Sequence, residues 1–360
     1  MDRYIGLDAH ASSCTFAVLS ASGRRLRTDV VETHGQALVE YLQLLPGQLH
    51  LCMEEGALSS WLYELLSPHV EELVVVTVGI SRGDKSDAKD AWGLAEALRI
   101  GAVKTRVYKD QGAYGKLREV GRVYTKIVED HARVQNRLKA LFRSRGVSAL
   151  EALFKESKQE EFVKQLPAKM RVSAEILLAQ YSAILEVRSR AHKELLQESR
   201  KHEVCQRLQS CPGIGPIRAA LLVGIVVSPH RFRTQRQFWS YCGLGIVMRS
   251  SSDWKQDRKG QWVKSKEPLC RGLNPNHNRT LKWIFKGAAT TIITGLPNSA
   301  LHADYQRLLE GGTKPPLAKL TLARKVSATV LSMWKNQEAY DPSRSRQNPQ
   351  QAERQSTGRS

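Results

Sequence analysis

The sequence predicts an α/β protein that begins with a mixed β-sheet covered by helices, and continues as a long helical arm and a mostly helical C-terminal domain. Three observations support this class. Short β-branched runs alternate with amphipathic stretches near the N-terminus, apolar residues in the middle recur at spacings of four and three, and two apolar helical stretches flank the sequence PGIGP. The predicted divisions are 1–145, 146–205 and 206–340, with a disordered polar tail at 341–360.

The N-terminal region has the pattern of a three-strand meander followed by strands that alternate with helices. The predicted strands lie at 3–7, 14–19, 26–32, 50–54 and 73–76. The predicted helices lie at 36–45, 59–66 and 87–99, the last with Ser86 as its N-cap. This order of elements is typical of mixed sheets of the RNase H or RuvC type.

The middle of the chain contains two apolar seams with helical spacing. The first seam consists of Val120, Tyr124, Ile127, His131, Val134, Leu138 and Leu141. The second consists of Leu177, Tyr181, Ile184, Arg188, Ala191 and Leu195. Two long helices with a break at Gly146 predict an antiparallel coiled-coil arm, to which the last helix of the first domain can also be assigned. An ordinary helical bundle core has the same pattern, so both interpretations stay open.

The composition indicates a polyanionic partner. Lys and Arg number 55 against 35 acidic residues, which gives a net charge of +20 and an isoelectric point near 9.8. Such an excess favours nucleic acid or an anionic membrane. No apolar run approaches the roughly 18 residues of a spanning helix, and no signal peptide is recognisable, so we expect a cytoplasmic protein without a membrane partner. The six cysteines contain no CxxC pair and are expected to be reduced and mostly buried.

Acidic side chains recur at the ends of predicted elements. Asp8 ends the first strand, Glu54 follows the apolar run Leu51-Cys52-Met53, and Asp87 and Asp90 lie three residues apart in one helical turn. Clustered carboxylates hold divalent cations in metal-assisted phosphodiester chemistry, and two Mg²⁺ ions about 3.5–4 Å apart are a common arrangement. Each residue alone has a simpler explanation as a turn or cap residue, but the combination predicts a magnesium site.

The C-terminal region has the composition of a nucleic-acid-binding surface. Pro212-Gly213-Ile214-Gly215-Pro216 between two apolar helices resembles a helix-hairpin-helix, whose glycines let the backbone approach a phosphate. Residues 230–286 contain 13 Lys and Arg against three acidic residues, with interleaved aromatic side chains. Trp283 is expected to pack in the core. The predicted nucleic-acid-binding residues are Gly213, Gly215, Arg249, Lys255, Arg258, Lys259, Lys264, Arg279 and Lys282.

Several motifs together resemble one known family. YIGLDAH, the MEE segment, KSDAKDAWGLAEALRIG, PGIGPIRAALL and FRTQRQFWSYCGLG, in this order, resemble the insertion-sequence-110 family of transposases over roughly residues 4 to 295. The resemblance implies a RuvC-like domain with Asp8, Glu54, Asp87 and Asp90 as metal ligands. It also implies a C-terminal transposase domain with a nucleophilic serine.

Two of the site assignments leave alternatives. Glu54 is preferred to Glu55 because it directly follows the apolar strand residues, and neighbours on a strand point to opposite faces. Where the family commonly has Ser-Gly, this chain has Ser250-Ser251-Ser252. The spacing from Gly243 places Ser251 at the serine position, with Ser250 and Ser252 as alternates.

The resemblance further implies an activity. It is Mg²⁺-dependent cleavage and exchange of DNA strands through a phosphoserine intermediate, guided by a structured bridge RNA from the element's own non-coding end. Expected partners are double-stranded donor and target DNA, this RNA, and further copies of the chain in a dimer or a dimer of dimers. The alternatives are a RuvC-like endonuclease that hydrolyses DNA junctions without a covalent intermediate, and a binding scaffold with an inactive nuclease fold.

Overall fold

The computed structural model of this 360-residue chain describes residues 1–77, 86–103, 106–107, 112–148, 151–249, 254–256, 260–264 and 269–343. The chain divides into two compact units, Met1–Gly112 and Ala113–Ser360. This division precedes the first long helix of the predicted arm, which therefore belongs to the second unit. The sequence-based domain boundaries stay predictions.

The first unit is built on a six-stranded mixed sheet with the strand order β3-β2-β1-β4-β5-β6. Its strands are β1 (Asp2–Ala9), β2 (Ser13–Ser20), β3 (Arg25–Glu32), β4 (Gln48–Glu54), β5 (Glu72–Val76) and β6 (Arg106–Val107). The first three strands form an antiparallel meander, β4 lies parallel to both β1 and β5, and β6 is antiparallel to β5. The predicted mixed sheet is confirmed. β6 was not predicted, because two residues are too few to show a period.

Helices cover both faces of this sheet. They are α1 (Gly35–Gln43), α2 (Ser59–Leu66) and α3 (Asp87–Arg99). Leu38 of α1 and Leu62 of α2 are buried against one face. Leu94 and Leu98 of α3 are buried against the other face, where they contact a cluster that includes Cys52. The sheet is therefore the middle layer of three, as expected for strands whose side chains are apolar on both faces.

The second unit begins with two long helices that pack antiparallel. Its first three helices are α4 (Gly115–Arg143), α5 (Glu156–Lys164) and α6 (Ala168–Arg200). Tyr124 in the first half of α4 shares a core with Leu195 near the end of α6. Leu138 near the end of α4 shares another with Leu178 near the start of α6. The predicted break lies at Gly146, whose φ of 74° favours glycine. α5 was not predicted, and the coiled-coil interpretation stays a prediction.

The remainder of the second unit is a helical core with two small β-ribbons. Its helices are α7 (Glu203–Gln209), α8 (Pro216–Val226), α9 (Gln235–Tyr241), α10 (Arg279–Gly295), α11 (Ala300–Glu310) and α12 (Pro315–Asn336). Its ribbons pair β7 (Ile246–Arg249) with β10 (Leu269–Leu273), and β8 (Trp254–Gln256) with β9 (Trp262–Lys264). Leu222 of α8, Phe285 of α10 and Val330 of α12 are fully buried at its centre. The predicted predominance of helices after the sheet is confirmed.

The described residues also bear on two further expectations. None of the described helices combines the length and the apolar content that are needed to cross a lipid bilayer. Cys14, Cys52, Cys205, Cys211 and Cys242 are buried free thiols, and burial raises the pKa of each above its ordinary value. Raised thiol pKa values make these side chains unreactive at neutral pH, which agrees with a packing role.

Candidate active site

Two neighbouring parallel strands end in a carboxylate at the same edge of the sheet. The parallel register of β1 and β4 ends with Leu7 opposite Met53, and Asp8 and Glu54 are the next residue on each strand. Because carboxyl ends of parallel strands lie side by side, both acidic residues are at one edge. The topology thus brings together two residues far apart in the sequence.

The same two residues are on the face of the sheet that α3 covers. Gly6 faces α3 so closely that a Cβ there would overlap the carbonyl oxygen of Ala91. Asp8 is two residues further along β1 and therefore on the same side. On β4, Cys52 packs beneath α3, and Glu54 is two residues beyond it. Strand alternation thus places Asp8 and Glu54 on one face.

The start of α3 supplies two more carboxylates. Ser86 has an extended backbone, and its hydroxyl accepts a hydrogen bond from the Lys89 amide, as predicted for an N-cap. This cap fixes Asp87 and Asp90 in the first helical turn. Because α3 packs directly on Gly6, its first turn is held beside the end of β1.

Asp8, His10 and Asp87 form a close cluster. The Nε2 atom of His10 lies 3.3 Å from Oδ2 of Asp8 and 3.5 Å from Oδ1 of Asp87. One potential ligand atom of each residue lies within 4.8 Å of the others. The Asp8 side chain is 22% exposed, whereas those of His10 and Asp87 are more than half exposed, so the cluster opens to solvent. The predicted juxtaposition of Asp8 with the start of α3 is therefore present.

The carboxylate of Asp8 is influenced by burial and by its charged neighbours. Burial is the main cause that raises the pKa of Asp8 above its ordinary value, and the negative charges of Asp87 and Asp90 raise it further, while His10 opposes them. Like charges raise a carboxyl pKa only when they are close. Asp90 therefore acts on Asp8 although it lies outside the three-residue cluster.

The donor set suits a divalent cation that prefers oxygen. Asp8 and Asp87 offer hard carboxylate oxygens at short range, as Mg²⁺ requires. Asp90 is close enough to influence the charge of Asp8, and Glu54 ends the neighbouring strand on the same face of the sheet. His10 adds a nitrogen donor, which Mg²⁺ rarely uses, so a hydrogen bond from His10 to a carboxylate is the role that best fits this cation.

Glu55 occupies a different position from Glu54. β4 ends at Glu54, and the backbone N–H of Glu55 donates a hydrogen bond to the carbonyl oxygen of Val76 on β5. Glu54, and not Glu55, continues the alternation that places Cys52 beneath α3. This geometry supports Glu54 as the ligand.

His10 is the residue that sequence reasoning missed. The signal was available in YIGLDAH, because residues two apart on an extended segment point the same way. Asp8 and His10 show this spacing, at the point where β1 ends. This spacing alone therefore predicts that His10 belongs to the same site as Asp8.

Several predicted residues fall outside the part of the chain that the structure describes. They are Ser251, its alternates Ser250 and Ser252, and the cations Arg258 and Lys259. Arg249 and Lys264 lie on β7 and β9, where the backbone alone is described. Lys255 is exposed on β8. These assignments stay predictions.

The PGIGP turn connects α7 to α8, as predicted, but its first glycine has a packing role. Gly213 has a φ of 80°, and a Cβ there would lie 2.7 Å from the carbonyl oxygen of Ala288 in α10. Its bare Cα thus permits close approach of α10, which is a sufficient reason for glycine. Gly215 is the N-cap of α8, and the space where its Cβ would lie is open.

The helix α10 separates into an apolar and a basic face. Its buried residues are Leu281, Ile284, Phe285, Ala288, Ala289 and Ile292. The predicted nucleic-acid-binding residues Arg279 and Lys282 lie on the other face, together with Lys286. The expectation that Trp283 packs in the core is wrong, because 55% of this residue is exposed. It follows Lys282 on the basic face, where the helical period turns it away from the core.

Comparisons with known proteins agree with these features. Residues 5–145 match a family described as "Transposase", and residues 205–306 match one described as "Transposase IS116/IS110/IS902 family". The first match contains the four candidate carboxylates. The second contains the PGIGP turn and the basic face of α10.

Individual relatives are more distant. The transposase for insertion sequence element IS1111A of Coxiella burnetii is 26% identical over 77% of this chain and 72% of its own length. A probable family 20 transposase of Pseudomonas aeruginosa is 29% identical over 53% of this chain and 58% of its own length. A putative transposase of Sinorhizobium fredii is 20% identical over 72% of this chain and 65% of its own length. The chain thus spans less than two thirds of the latter two relatives.

Proposed function

Because this chain belongs to the insertion-sequence-110 (IS110) family of transposases, we propose that it is the recombinase of a bacterial insertion sequence, and that it cleaves and exchanges DNA strands in a Mg²⁺-dependent reaction. The observation that best supports this function is the convergence of Asp8 and Asp87 at one edge of the sheet, with His10 between them. Asp90 and Glu54 complete the proposed ligand set.

The proposed chemistry assigns a role to each group of residues. Asp8, Glu54, Asp87 and Asp90 would hold the cation, and His10 would orient Asp8 and Asp87. When bound there, a divalent cation would neutralise charge that develops on the phosphodiester oxygens. Lys and Arg side chains of the second unit bind the DNA phosphates and fix the strand.

The proposed nucleophile is the hydroxyl of Ser251. Its oxygen forms a bond to phosphorus while the bond from phosphorus to one DNA oxygen breaks. The serine loses its proton, and the departing DNA oxygen gains one and becomes a hydroxyl. The phosphoserine link conserves the energy of the phosphodiester, so the reverse step can join another strand without ATP.

The family resemblance adds the finer parts of the proposal. They are a RuvC-type fold for the sheet unit, a coiled-coil arm formed by α4 and α6, a structured bridge RNA as guide, and assembly as a dimer or a dimer of dimers. The antiparallel packing of α4 on α6 is compatible with such an arm.

A covalent adduct would test the proposal directly. The protein is incubated with Mg²⁺, cognate DNA and the candidate RNA, and the products are separated on a denaturing gel. We expect a protease-sensitive protein–DNA adduct that Ser251→Ala eliminates and that Ser250→Ala and Ser252→Ala retain. Strand cleavage that continues in Ser251→Ala without any adduct would instead favour the hydrolytic endonuclease.

A further inference from the structure

The basic face of α10 borders an open recess of about 440 Å³ in the second unit. Arg279, Lys282, Trp283 and Lys286 line it from α10, Lys319 lines it from α12, and His277 lines it just before α10 begins. His277 is held in place because its ring packs on the bare Cα of Gly243, and its Nδ1 atom lies 2.6 Å from the Asn274 carbonyl oxygen.

The cations of this recess lack carboxylate partners. Among the described residues, no Asp or Glu oxygen lies within 4.0 Å of the side-chain nitrogens of Arg279, Lys282, Lys286 or Lys319. Arg279 has only a small effect on the carboxylate of Glu129 in α4. The pKa of Glu129 is lowered mainly by its hydrogen bond with Lys126, at 3.0 Å, and Arg279 is a lesser cause. Some exposed cations on other helices of this unit are paired, as Lys158 is with Glu161. Four converging unpaired cations repel one another, and an anionic ligand removes that repulsion.

Trp283 gives the recess a second property. Its indole is 55% exposed among these cations. Elsewhere in the same unit, Trp334 is 8% exposed and the Trp239 N–H donates a hydrogen bond to the Arg324 carbonyl oxygen, whereas Trp254 and Trp262 of the β8–β9 ribbon are exposed. What distinguishes Trp283 is its position among the cations of the recess. A flat aromatic ring left in solvent beside unpaired cations is the arrangement that stacks a base and binds its flanking phosphates.

The spacing along α10 suits a polynucleotide strand. Arg279, Lys282 and Lys286 are three and four residues apart, so they lie about 4.5 and 6 Å apart along the helix axis. Trp283 lies between the last two. A duplex keeps its bases stacked inside, so the ring would contact a base only where a strand is unpaired.

We propose that this recess binds an unpaired segment of a DNA strand, with one base stacked on Trp283 and the adjacent phosphates bound by Arg279, Lys282, Lys286 and Lys319. The inference takes DNA as the polyanion from the proposed function. Strand exchange requires that a cleaved strand leave its complement before it is joined to another strand. A site that holds such a strand would keep it close to the protein until it is joined again.

Binding to labelled oligonucleotides would test this site. Fluorescence anisotropy compares a single-stranded 20-mer with a blunt duplex of the same sequence, for the full chain in EDTA so that no cleavage occurs. We expect Trp283→Ala to weaken single-strand binding by about 5- to 100-fold, the range for loss of one stacked base, and to change duplex binding less than twofold. Trp283→Phe should recover most of the affinity. Trp61→Ala, a change of another partly exposed indole in the first unit, is the matched control.

The cations have a separate readout. Lys286→Ala should lower the slope of log affinity against log salt for the single strand by about 0.7, while Lys193→Ala, a change of an exposed lysine on α6, should leave it unchanged.

Equal loss of single-strand and duplex affinity in Trp283→Ala, or no loss in either, would overturn base stacking. An RNA 20-mer that binds more tightly than DNA with the same Trp283 dependence would overturn DNA as the occupant. Adduct formation at saturating DNA reports on the proposed function independently.

Discussion

At the scale of single residues, Asp8 is a proposed metal ligand whose negative charge lowers the stability of the folded protein. Its carboxylate is mostly buried and close to the negative charges of Asp87 and Asp90, and these raise its pKa. In the absence of a cation, the ionised form is therefore less favourable in the folded protein than in the unfolded chain. Residues chosen for chemistry often reduce stability in this way.

We therefore predict that Asp8→Asn stabilises the protein in EDTA and abolishes strand cleavage. Removing a charge that is partly buried and close to two other carboxylates should stabilise by on the order of 1 kcal/mol, the size of one charge contact at about 4 Å in water, after the loss of the attraction to His10. Thermal denaturation in EDTA measures the first effect, and the cleavage assay measures the second. A less stable Asp8→Asn protein would show that Asp8 has a structural role.

At the scale of elements, the contact between β1 and α3 assembles the candidate site. The absence of a side chain at Gly6 lets the α3 backbone pack against β1, because a Cβ there would overlap the Ala91 carbonyl oxygen. Packed interiors tolerate such overlap poorly. The approach of α3 determines where Asp87 and Asp90 lie relative to Asp8.

Gly6→Ala should therefore destabilise the first unit by about 3 kcal/mol, at the upper end of typical overpacking costs, and should lower cleavage activity. Gly93→Ala is a matched control on α3, because nothing lies within 4 Å of the position of its missing Cβ. That change should stabilise by about 0.5–1 kcal/mol through helix propensity alone. Urea denaturation measures both. A Gly6→Ala protein as stable as wild type would contradict the close packing of α3.

The α4–α6 pair contains a buried titratable side chain. His131 packs against the Tyr181 ring, with centroids 5.4 Å apart, and its Nε2 atom is without a hydrogen-bond partner among the described residues. Burial is the main cause that lowers its pKa below the ordinary 6.5, and the positive charge of Arg188 lowers it further. The protonated form is thus disfavoured in the folded state, so stability present above pH 6.5 is lost as the pH falls.

His131→Leu should accordingly stabilise the protein more at pH 5 than at pH 8. His131→Gln is the control, because it keeps a polar group in the same place but does not titrate. Both variants should flatten the dependence of the melting temperature on pH between these values, and the leucine variant alone should gain stability at pH 8. If the melting temperature of the wild-type protein changed no more between pH 5 and pH 8 than that of the two variants, the lowered pKa of His131 would be contradicted.

The sequence was most informative where periodicity is strong. The predicted helix at 87–99 with its Ser86 cap matches α3, and five of the six strands of the sheet were expected. The short β6 and the intervening α5 were missed, because brief elements are determined by tertiary contacts. Trp283 was misplaced for a different reason. Its aromatic character suggested burial, whereas the helical spacing of the apolar residues in LKWIFKGAA leaves position 283 outside the buried stripe.

At the scale of the whole molecule, the charge is divided between the two units. Residues 1–112 contain 11 Lys and Arg against 15 Asp and Glu, a net charge of −4. Residues 113–360 contain 44 against 20, a net charge of +24. The unit with the candidate metal site is acidic, and the entire basic excess belongs to the other unit. Polyanion binding and metal-assisted chemistry therefore depend on different parts of the chain.

This division predicts that removal of Mg²⁺ separates binding from chemistry. EDTA at constant ionic strength should abolish strand cleavage and adduct formation, while the affinity for DNA should change by less than about threefold, since the phosphate contacts come from Lys and Arg. Raising the salt from 50 to 200 mM should instead weaken binding by at least tenfold. Anisotropy and the denaturing gel, run on the same samples, measure the two properties together, and added Mg²⁺ should restore cleavage. A large loss of affinity in EDTA would mean that the acidic cluster of the first unit, through its cation, holds much of the DNA itself.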